Sequence, residues 1–194
     1  MASVIGFSAA IYLFSVPLIE EKAFEIELNA SRTILDNVFI LTSRIKTDLE
    51  KQRNLTLEAY KTQLRNALSL AASSLEQELA RADRGEITEA EARARAFEAL
   101  RSFKYGNNDY IWVTDYGSVI RSHPDPEFMA KDASGRLGGD GRPILPSIVK
   151  IARERGEGFY TYPWERLGET TTSDKISYFN DMPSRGLVVG TGAY

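Results

Sequence analysis

The sequence contains one run of 67 residues, from Leu18 to Arg84, in which neither glycine nor proline occurs. These two residues are the least favourable in a helix interior, so their absence over this length constrains the fold more than any other feature. A continuous helix of this length would extend on the order of 100 Å. The sequence therefore predicts one very long helix, well beyond the usual length of helices in globular proteins.

Apolar side chains recur along the first half of this run at alternating spacings of four and three residues. The positions are Phe24, Leu28, Ser31, Leu35, Val38, Thr42, Ile45 and Leu49. Such a seam, here with two polar interruptions, is typical of a helix that faces a partner helix, and it predicts a parallel homodimer. After Leu49 the phase changes, and a second pattern runs from Leu57 to Leu75. The alternative is a helix packed on its own domain. Both can hold at once, with dimer contacts along the first half and intramolecular packing along the second.

Eighteen residues without a charged side chain precede the long helix, from Ala2 to Ile19. As a helix they would rise about 27 Å, close to the roughly 30 Å hydrocarbon core of a bilayer. We predict a transmembrane helix over residues 2–19, complete or truncated at its start, followed by a signalling or stalk helix over residues 20–84. A signal peptide is one alternative, but no basic segment or clear cleavage site accompanies the apolar residues. A buried core helix is another, which the uncharged length disfavours.

Composition changes at Phe103. At or after this residue lie 12 of the 14 glycines, 13 of the 20 aromatic residues and six of the seven prolines. Short apolar runs separated by turn residues are typical of an antiparallel sheet. The predicted strands are Tyr110–Thr114, Ser118–Ser122, Gly158–Tyr162, Lys175–Asn180 and Leu187–Thr191.

Two shorter helices complete the predicted elements. Thr88 and Glu91 have the spacing of a capping box, which predicts a helix over residues 88–103. Another helix, over residues 143–155, interrupts the strands. The predicted fold class is α+β, with the long N-terminal helix packed on an antiparallel sheet of about five strands and a sheet domain over residues 85–194.

Composition excludes several classes of function. The net charge of −3 and the pI of about 5.4 disfavour a nucleic-acid partner, because such proteins usually carry a strong basic excess. The chain has no cysteine and a single histidine, His123, so a thiolate site or a multi-histidine metal site cannot form within it. The sequence contains no motif of a catalytic nucleophile and no pair of carboxylates that we would assign to catalysis. We therefore expect no enzyme activity, no metal and no cofactor in this region.

Aromatic residues with polar tips alternate along two predicted strands. Tyr110 and Trp112 share one face of their strand, and Tyr162 and Trp164 share a face if the strand continues through Pro163. Such side chains form an apolar wall with hydrogen-bond donors at its edge, which suits a small amphiphilic ligand. An aromatic-rich core under a loop explains the pattern equally well.

Cationic side chains near this face are candidates for binding an anion. They are Arg101, Lys104, Arg121, His123 and Lys175. A carboxylate that leaves water needs a positive charge or several donors in its place. Lys175 begins a strand, so its stem can lie on the sheet, and alternation puts Arg121 and His123 on one face. The usual alternative for each lysine or arginine is a solvated surface charge.

Roughly the last hundred residues resemble a single Cache domain, most closely the second single-Cache class, a sensor module of bacterial receptors. The segments that carry the resemblance are Arg101–Gly106, Asp109–Val113 with Asp115, His123 and Pro124, Gly156–Phe159 with Tyr162 and Trp164, Lys175–Tyr178, and Val189–Tyr194. Their order and spacing agree with that family, and the long helix after a membrane span fits it as well.

The resemblance implies a PAS-like sheet on the periplasmic side of the inner membrane, flanked by two transmembrane helices. It implies a carboxylate of two to four carbons, such as acetate, propionate, pyruvate or lactate, as the ligand. By position, the residues that would line the pocket are Arg101, Tyr110, Trp112, His123, Tyr162, Lys175 and, with less support, Trp164. Lys175 and His123 would contact the carboxylate, the hydroxyls of Tyr110 and Tyr162 would donate hydrogen bonds, and Trp112 would pack against the apolar tail.

The predicted function is an extracytoplasmic sensor domain that signals through the long helix to a chemotaxis transducer, a histidine kinase or a cyclase. The alternative is a membrane-tethered structural or dimerisation module without a small-molecule ligand. Stabilisation of the fold by a ligand would separate the two.

Overall fold

The computed structural model describes residues 8–9, 11–106, 108–169 and 171–194. Its helices are a π-helix (Ile11–Ser15), α1 (Val16–Asp83), α2 (Glu89–Ser102), a 3-10 helix (Pro126–Phe128) and α3 (Ile144–Arg155). Its strands are β1 (Lys104–Tyr105), β2 (Asp109–Asp115), β3 (Ile120–Ser122), β4 (Glu157–Glu165), β5 (Thr172–Met182) and β6 (Leu187–Ala193). The chain divides into two compact units, Met1–Thr56 and Leu57–Tyr194.

The first unit contains the π-helix and the first part of α1. Residues 17–56 are all exposed, including the seam positions Phe24, Leu35 and Leu49. Among the described residues, no helix has the length and hydropathy needed to cross a membrane. Residues 2–7 and 10 of the predicted membrane helix lie outside the described residues.

The second part of α1 buries one face within the second unit. Its buried side chains are Leu64, Ala67, Leu68, Ala71, Leu75 and Leu79. The prediction that this part of the helix packs on its own domain is therefore confirmed. The helix ends at Asp83, and Gly85 follows with a φ of +73°, a left-handed conformation that favours glycine just after a helix.

The predicted capping box begins α2. The hydroxyl oxygen of Thr88 accepts a hydrogen bond from the backbone N–H of Glu91 at 3.2 Å. In return, the Glu91 carboxylate accepts one from the backbone N–H of Thr88 at 3.0 Å. These two bonds satisfy two donors that the first turn of a helix would otherwise leave unpaired.

The strands form one antiparallel sheet in the order β1-β2-β6-β5-β4, with β3 paired to β2. The predicted combination of a long helix and an antiparallel sheet is confirmed. The sheet has six strands because Lys104 and Tyr105 pair with β2. A strand of two residues shows no alternation, so the sequence pattern could not indicate it.

The two faces of the sheet bury different cores. On one face, which we call the helix face, Ile111 and Val189 pack in a cluster with Leu68 of α1 and Leu100 of α2. On the other, the cavity face, Phe179 and Val188 pack with Ile144 and Ile148 of α3. The sheet therefore separates the long helix from the side chains that the sequence marks as ligand-binding.

Strand β4 continues through Pro163, whose partner in β5 is Asp174. The strand lies at an edge of the sheet, where a missing N–H is tolerated. Because the pleat continues, Tyr162 and Trp164 share a face, as the alternation predicted.

The predicted sharing of a face by Arg121 and His123 is wrong. Arg121 is exposed and forms an ion pair with Asp115 at 2.6 Å. Strand β3 ends at Ser122, so alternation does not extend to His123, which lies with Ile120 on the cavity face. The physical cause is the short strand, which ends one residue before the histidine.

Candidate functional site

A cavity with a volume of about 20 Å³ lies between the sheet and α3. This is room for about one water molecule, so the side chains around the cavity must move apart before an organic ligand can enter. The lining side chains are Tyr110, Trp112, Ile120, His123, Leu145, Tyr162, Trp164 and Lys175. Six of the seven residues predicted to bind a ligand thus meet around one cavity. Their role in binding remains a prediction.

Strand alternation explains why these side chains meet. Tyr110 and Trp112 stand two residues apart on β2, and Tyr162 and Trp164 stand two residues apart on β4. Lys175 on β5 lies directly opposite Tyr162 in the register. The aromatic walls therefore come from two different strands, and the cation comes from a strand between them.

Lys175 is almost completely buried, with 1% of its surface exposed. Its ammonium nitrogen lies 4.0 Å from the centre of the Tyr110 ring and 5.2 Å from that of Tyr194. Burial lowers the pKa of Lys175 to about 7, and the negative charge of Asp109 opposes that shift. The aromatic faces attract the cation, but an anion in the cavity would stabilise its charged form further.

His123 supplies an N–H group without a partner. Its Nδ1 lies 3.0 Å from the backbone N–H of Asp125 and 3.4 Å from the carbonyl oxygen of the same residue. The shorter contact, in which Nδ1 accepts, assigns the proton of the neutral ring to Nε2. That Nε2 is buried and has no hydrogen-bond partner among the described residues. Burial lowers the pKa of His123 to about 4, and the Lys175 cation adds to the shift. The ring is therefore neutral at pH 7 and offers a single donor.

Trp112 supplies a second donor of the same kind. Its indole Nε1 is buried and, within the described part of the chain, has no hydrogen-bond partner. A buried N–H without an acceptor costs about 1–3 kcal/mol, so such groups call for a specific explanation. Two of them at one small cavity, beside a buried cation, favour a ligand that accepts hydrogen bonds.

The two tyrosines are neutral donors or acceptors. The Tyr162 hydroxyl lies 2.8 Å from the hydroxyl of Ser177. Burial is the main cause that raises the pKa of both Tyr110 and Tyr162 above the ordinary value for tyrosine. Both hydroxyls therefore keep their protons at neutral pH.

The segment between β3 and α3 contacts the aromatic wall of the cavity. The Phe128 ring centre lies 4.9 Å from that of His123 and 5.3 Å from that of Trp164. The Arg136 guanidinium lies 4.0 Å from the centre of the Trp164 ring and forms an ion pair with Glu165 at 2.9 Å. Arg136 therefore attaches this segment to the end of β4.

Arg101, the seventh predicted residue, does not line the cavity. It lies in the last turn of α2 and forms an ion pair with Glu98. Helix α2 packs on the helix face of the sheet, so the structure does not bring Arg101 to the other predicted residues.

Sequence reasoning missed four positions that shape the cavity. Ile120 and Leu145 are apolar lining residues, which short apolar runs do not distinguish from ordinary core. Gly190 and Gly192 leave space against the side chains of Trp112 and Lys175 respectively. Glycine inside a strand is a recognised sign of close approach, and that signal could have identified both.

A family model and two solved structures match this chain. A family model described as dCache_2: Cache domain matches residues 17–194. A periplasmic sensor domain of a chemotaxis protein is 36% identical, with a TM-score of 0.68, over 71% of this chain and 96% of that chain. A structure described as the basis for carboxylic acid recognition by a Cache chemosensory domain is 24% identical, with a TM-score of 0.68, over 72% of this chain and 95% of that chain.

A curated relative is the methyl-accepting chemotaxis protein McpP of Pseudomonas putida. It is 28% identical over 111 residues, which are 57% of this chain and 20% of the relative. The chain spans between 20% and 32% of the length of the curated relatives that it matches.

Proposed function

Because this chain belongs to the Cache domain family, we propose that it is the extracytoplasmic sensor region of a bacterial inner-membrane receptor and binds a small organic carboxylate in its cavity. The likeness to a periplasmic sensor domain and to a chemotaxis receptor supports that setting. The similar Cache domain described for carboxylic acid recognition agrees with this class of ligand.

One observation carries the proposal: Lys175, a buried cation, lines the same small cavity as His123 and Trp112, whose ring nitrogens have no hydrogen-bond partner among the described residues. A carboxylate offers two oxygens that accept several hydrogen bonds. The Lys175 ammonium would neutralise its charge, while the N–H groups of His123 and Trp112 replace water as donors. A neutral ligand would add no negative charge beside the buried ammonium, and a cationic ligand would repel it.

The remaining walls limit the size of the ligand. Ile120, Leu145 and the ring of Trp164 line the cavity with apolar surface. Because the closed cavity has a volume of only about 20 Å³, a ligand must displace these walls, and each further carbon requires a larger displacement. We therefore expect carboxylates of two to four carbons to bind in preference to larger acids.

The sheet offers a route from the ligand to α1. Lys175 faces the cavity on β5, whereas Tyr178 of the same strand faces α1. There the Arg65 guanidinium lies 5.7 Å from the Tyr178 ring and 4.9 Å from the Phe159 ring. A ligand that binds one arrangement of β5 more tightly would shift the population of arrangements at α1.

The exposed seam of the first unit favours a parallel homodimer as the signalling form. Large apolar side chains such as Phe24, Leu35 and Val38 are more than half exposed, and their heptad spacing fits a partner helix. The same seam supports the second candidate function, a tethered dimerisation module that needs no ligand. Ligand binding at the cavity separates the two candidates.

The test of the cavity is calorimetric titration of acetate, propionate, pyruvate and lactate into the chain and its Lys175→Ala variant. We expect the variant to bind roughly tenfold to a hundredfold more weakly, since it loses a charge-assisted contact. Lys150→Ala is the matched control, because Lys150 is exposed on α3 and its side chain is 74% accessible. Equal affinity in the chain and in the folded Lys175→Ala variant would contradict the proposed binding mode.

A further inference from the structure

Two glycines on the central strand β6 lie beneath Trp112 and Lys175, two of the side chains that line the cavity. Gly190 lies opposite Trp112 in the register, and Gly192 lies opposite Ser177. Neither has a positive φ, so backbone conformation does not require glycine at either position. We call this pair the floor glycines.

Gly192 leaves the space through which the lysine passes. A Cβ atom at this position would lie 2.6 Å from Cε of Lys175, 2.6 Å from Oγ of Ser177 and 2.8 Å from the carbonyl oxygen of Ile176. Lys175 stands on β5, yet its ammonium lies 4.0 Å from the centre of the Tyr110 ring on β2. The side chain therefore crosses β6 above Gly192, and a methyl group there would block its path.

Gly190 leaves the space in which the indole of Trp112 lies. A Cβ atom here would lie between 2.1 and 2.5 Å from three atoms of the Trp112 ring system. Separations under 3 Å do not occur for real Cβ atoms, so the ring would have to move off the strand. Since Trp112 lines the cavity, the direction open to it is into the cavity.

We propose that the floor glycines are specificity-determining positions: Gly192 places the Lys175 ammonium for carboxylate binding, and Gly190 sets the depth of the cavity through Trp112. The inference rests on the proposed function of the cavity. It assigns charge recognition and tail length to two neighbouring positions of one strand.

The two positions should act differently on ligands of different length. With Gly192→Ala the ammonium is displaced, so every carboxylate loses the same contact. With Gly190→Ala the indole takes up space that a longer tail needs, so affinity falls more as the tail lengthens. The order of affinities across formate, acetate, propionate and butyrate therefore distinguishes the two effects.

Calorimetric titration of these four acids into the full chain tests the proposal. We expect Gly192→Ala to weaken all of the acids that bind by about tenfold or more. Gly190→Ala should weaken the longest acid most and leave the shortest within about threefold, since each lost methylene contact is a small increment. Gly139→Ala is the control, because a Cβ atom there meets nothing within 4 Å. Unchanged affinities and ligand order in both variants would overturn the proposal.

A thermal double-mutant cycle tests the placement of Lys175 without any ligand. Residues in contact give non-additive effects. We expect Gly192→Ala to lower the melting temperature less in the Lys175→Ala background than in the wild-type background. Recovery of folding only in the double variant would support the proposal as well. Equal losses in both backgrounds would mean that the added methyl group meets only Ser177 and the carbonyl oxygen of Ile176, which would overturn the placement of Lys175 above Gly192.

The cycle also separates this inference from the proposed function. Coupling between positions 192 and 175 in a chain that binds none of the acids would contradict the carboxylate ligand and leave the packing above Gly192 standing. If the wild type binds an acid and Gly192→Ala binds it with the same affinity, the carboxylate ligand stands and the proposed role of Gly192 is contradicted.

Discussion

Lys175 is the residue on which the proposed recognition depends most. A lysine with 1% of its surface exposed is costly to the fold, because burial disfavours its charged form. An apolar side chain at this position would make the fold more stable than a buried lysine does. The proposed anionic ligand would account for a cation held at this cost, beside two N–H groups that have no partner among the described residues.

The pH dependence of binding should report the titration of Lys175. Burial lowers the pKa of this residue to about 7 from an ordinary value of 10.5. Carboxylate affinity should hold steady between about pH 6 and pH 7 and fall by up to about tenfold per unit above pH 7, as the ammonium loses its proton. Titration calorimetry over this range measures it. A constant affinity up to about pH 9 would contradict the assignment.

The stability of the ligand-free protein should change with pH in the opposite direction. Because the folded-state pKa lies below the unfolded one, the unfolded state binds more protons between about pH 7 and pH 10.5. The contribution of Lys175 to the free energy of unfolding therefore rises with pH in this window. Urea denaturation should show the advantage of Lys175→Met over the wild type shrinking as pH rises. A difference independent of pH would show that Lys175 is not buried.

At the scale of residues, the sequence predicted the aromatic side chains that line the cavity but not the two glycines of β6 beneath them. Tyr110 and Trp112 follow from strand alternation, which needs no tertiary information. Arg101 was predicted to line the pocket from its position in the family. A position in the sequence does not indicate which face of the sheet a helix packs on, and the helix of Arg101 packs on the helix face. The role of Gly192 depends on a side chain from the neighbouring strand, a contact that local patterns do not contain.

At the scale of elements, α1 has two parts with different environments. Every residue from 17 to 56 is exposed, whereas the second part buries a stripe that includes Leu68 and Leu75. The sequence indicated this division by the change of phase after Leu49. One helix thus carries an apolar seam without a partner in the single chain and an apolar seam packed against the sheet.

Leucine-to-alanine substitutions should distinguish the two parts. Leu68→Ala removes a fully buried side chain and should lower the free energy of unfolding by about 2–5 kcal/mol. Leu35→Ala is the matched control, because Leu35 is 69% exposed and should not change the stability of the monomer. Urea denaturation of dilute protein measures both.

The same control reports on the dimer. If the seam pairs with a second copy, Leu35→Ala should weaken self-association in sedimentation experiments at high concentration. A wild-type chain that stays monomeric there would contradict the proposed dimer, and a large loss of monomer stability in Leu35→Ala would contradict the exposed position.

The elements themselves were largely predictable because each has a local signal. The capping box of Thr88 indicated the start of α2. The stretch without glycine and proline, Leu18 to Arg84, indicated nearly all of α1, which begins two residues earlier at Val16 and ends at Asp83. Strand β1 and the start of β3 at Ile120, two residues after the predicted Ser118, were not predictable. Both depend on hydrogen bonds to β2, and two or three residues are too few to show a period.

At the scale of the whole molecule, one sheet connects the cavity with the packed part of α1. Within the second unit, the cavity and the packed part of α1 occupy opposite faces of that sheet. A change at Lys175 can therefore reach α1 through β5 without any contact between ligand and helix. The central claim is that the cavity binds a small carboxylate, since neither the specificity nor the signalling proposed above has meaning without it.

The most direct test is thermal melting of the chain with acetate, propionate, pyruvate and lactate, each compared with its neutral amide. A ligand at about 100 times its dissociation constant stabilises the native state by about 2.7 kcal/mol, which corresponds to a rise of about 5–10 °C in the melting temperature of a chain of this size. We predict such a rise with at least one carboxylate and none with the corresponding amide. No rise with any of the acids, or an equal rise with an acid and its amide, would contradict carboxylate binding at the cavity.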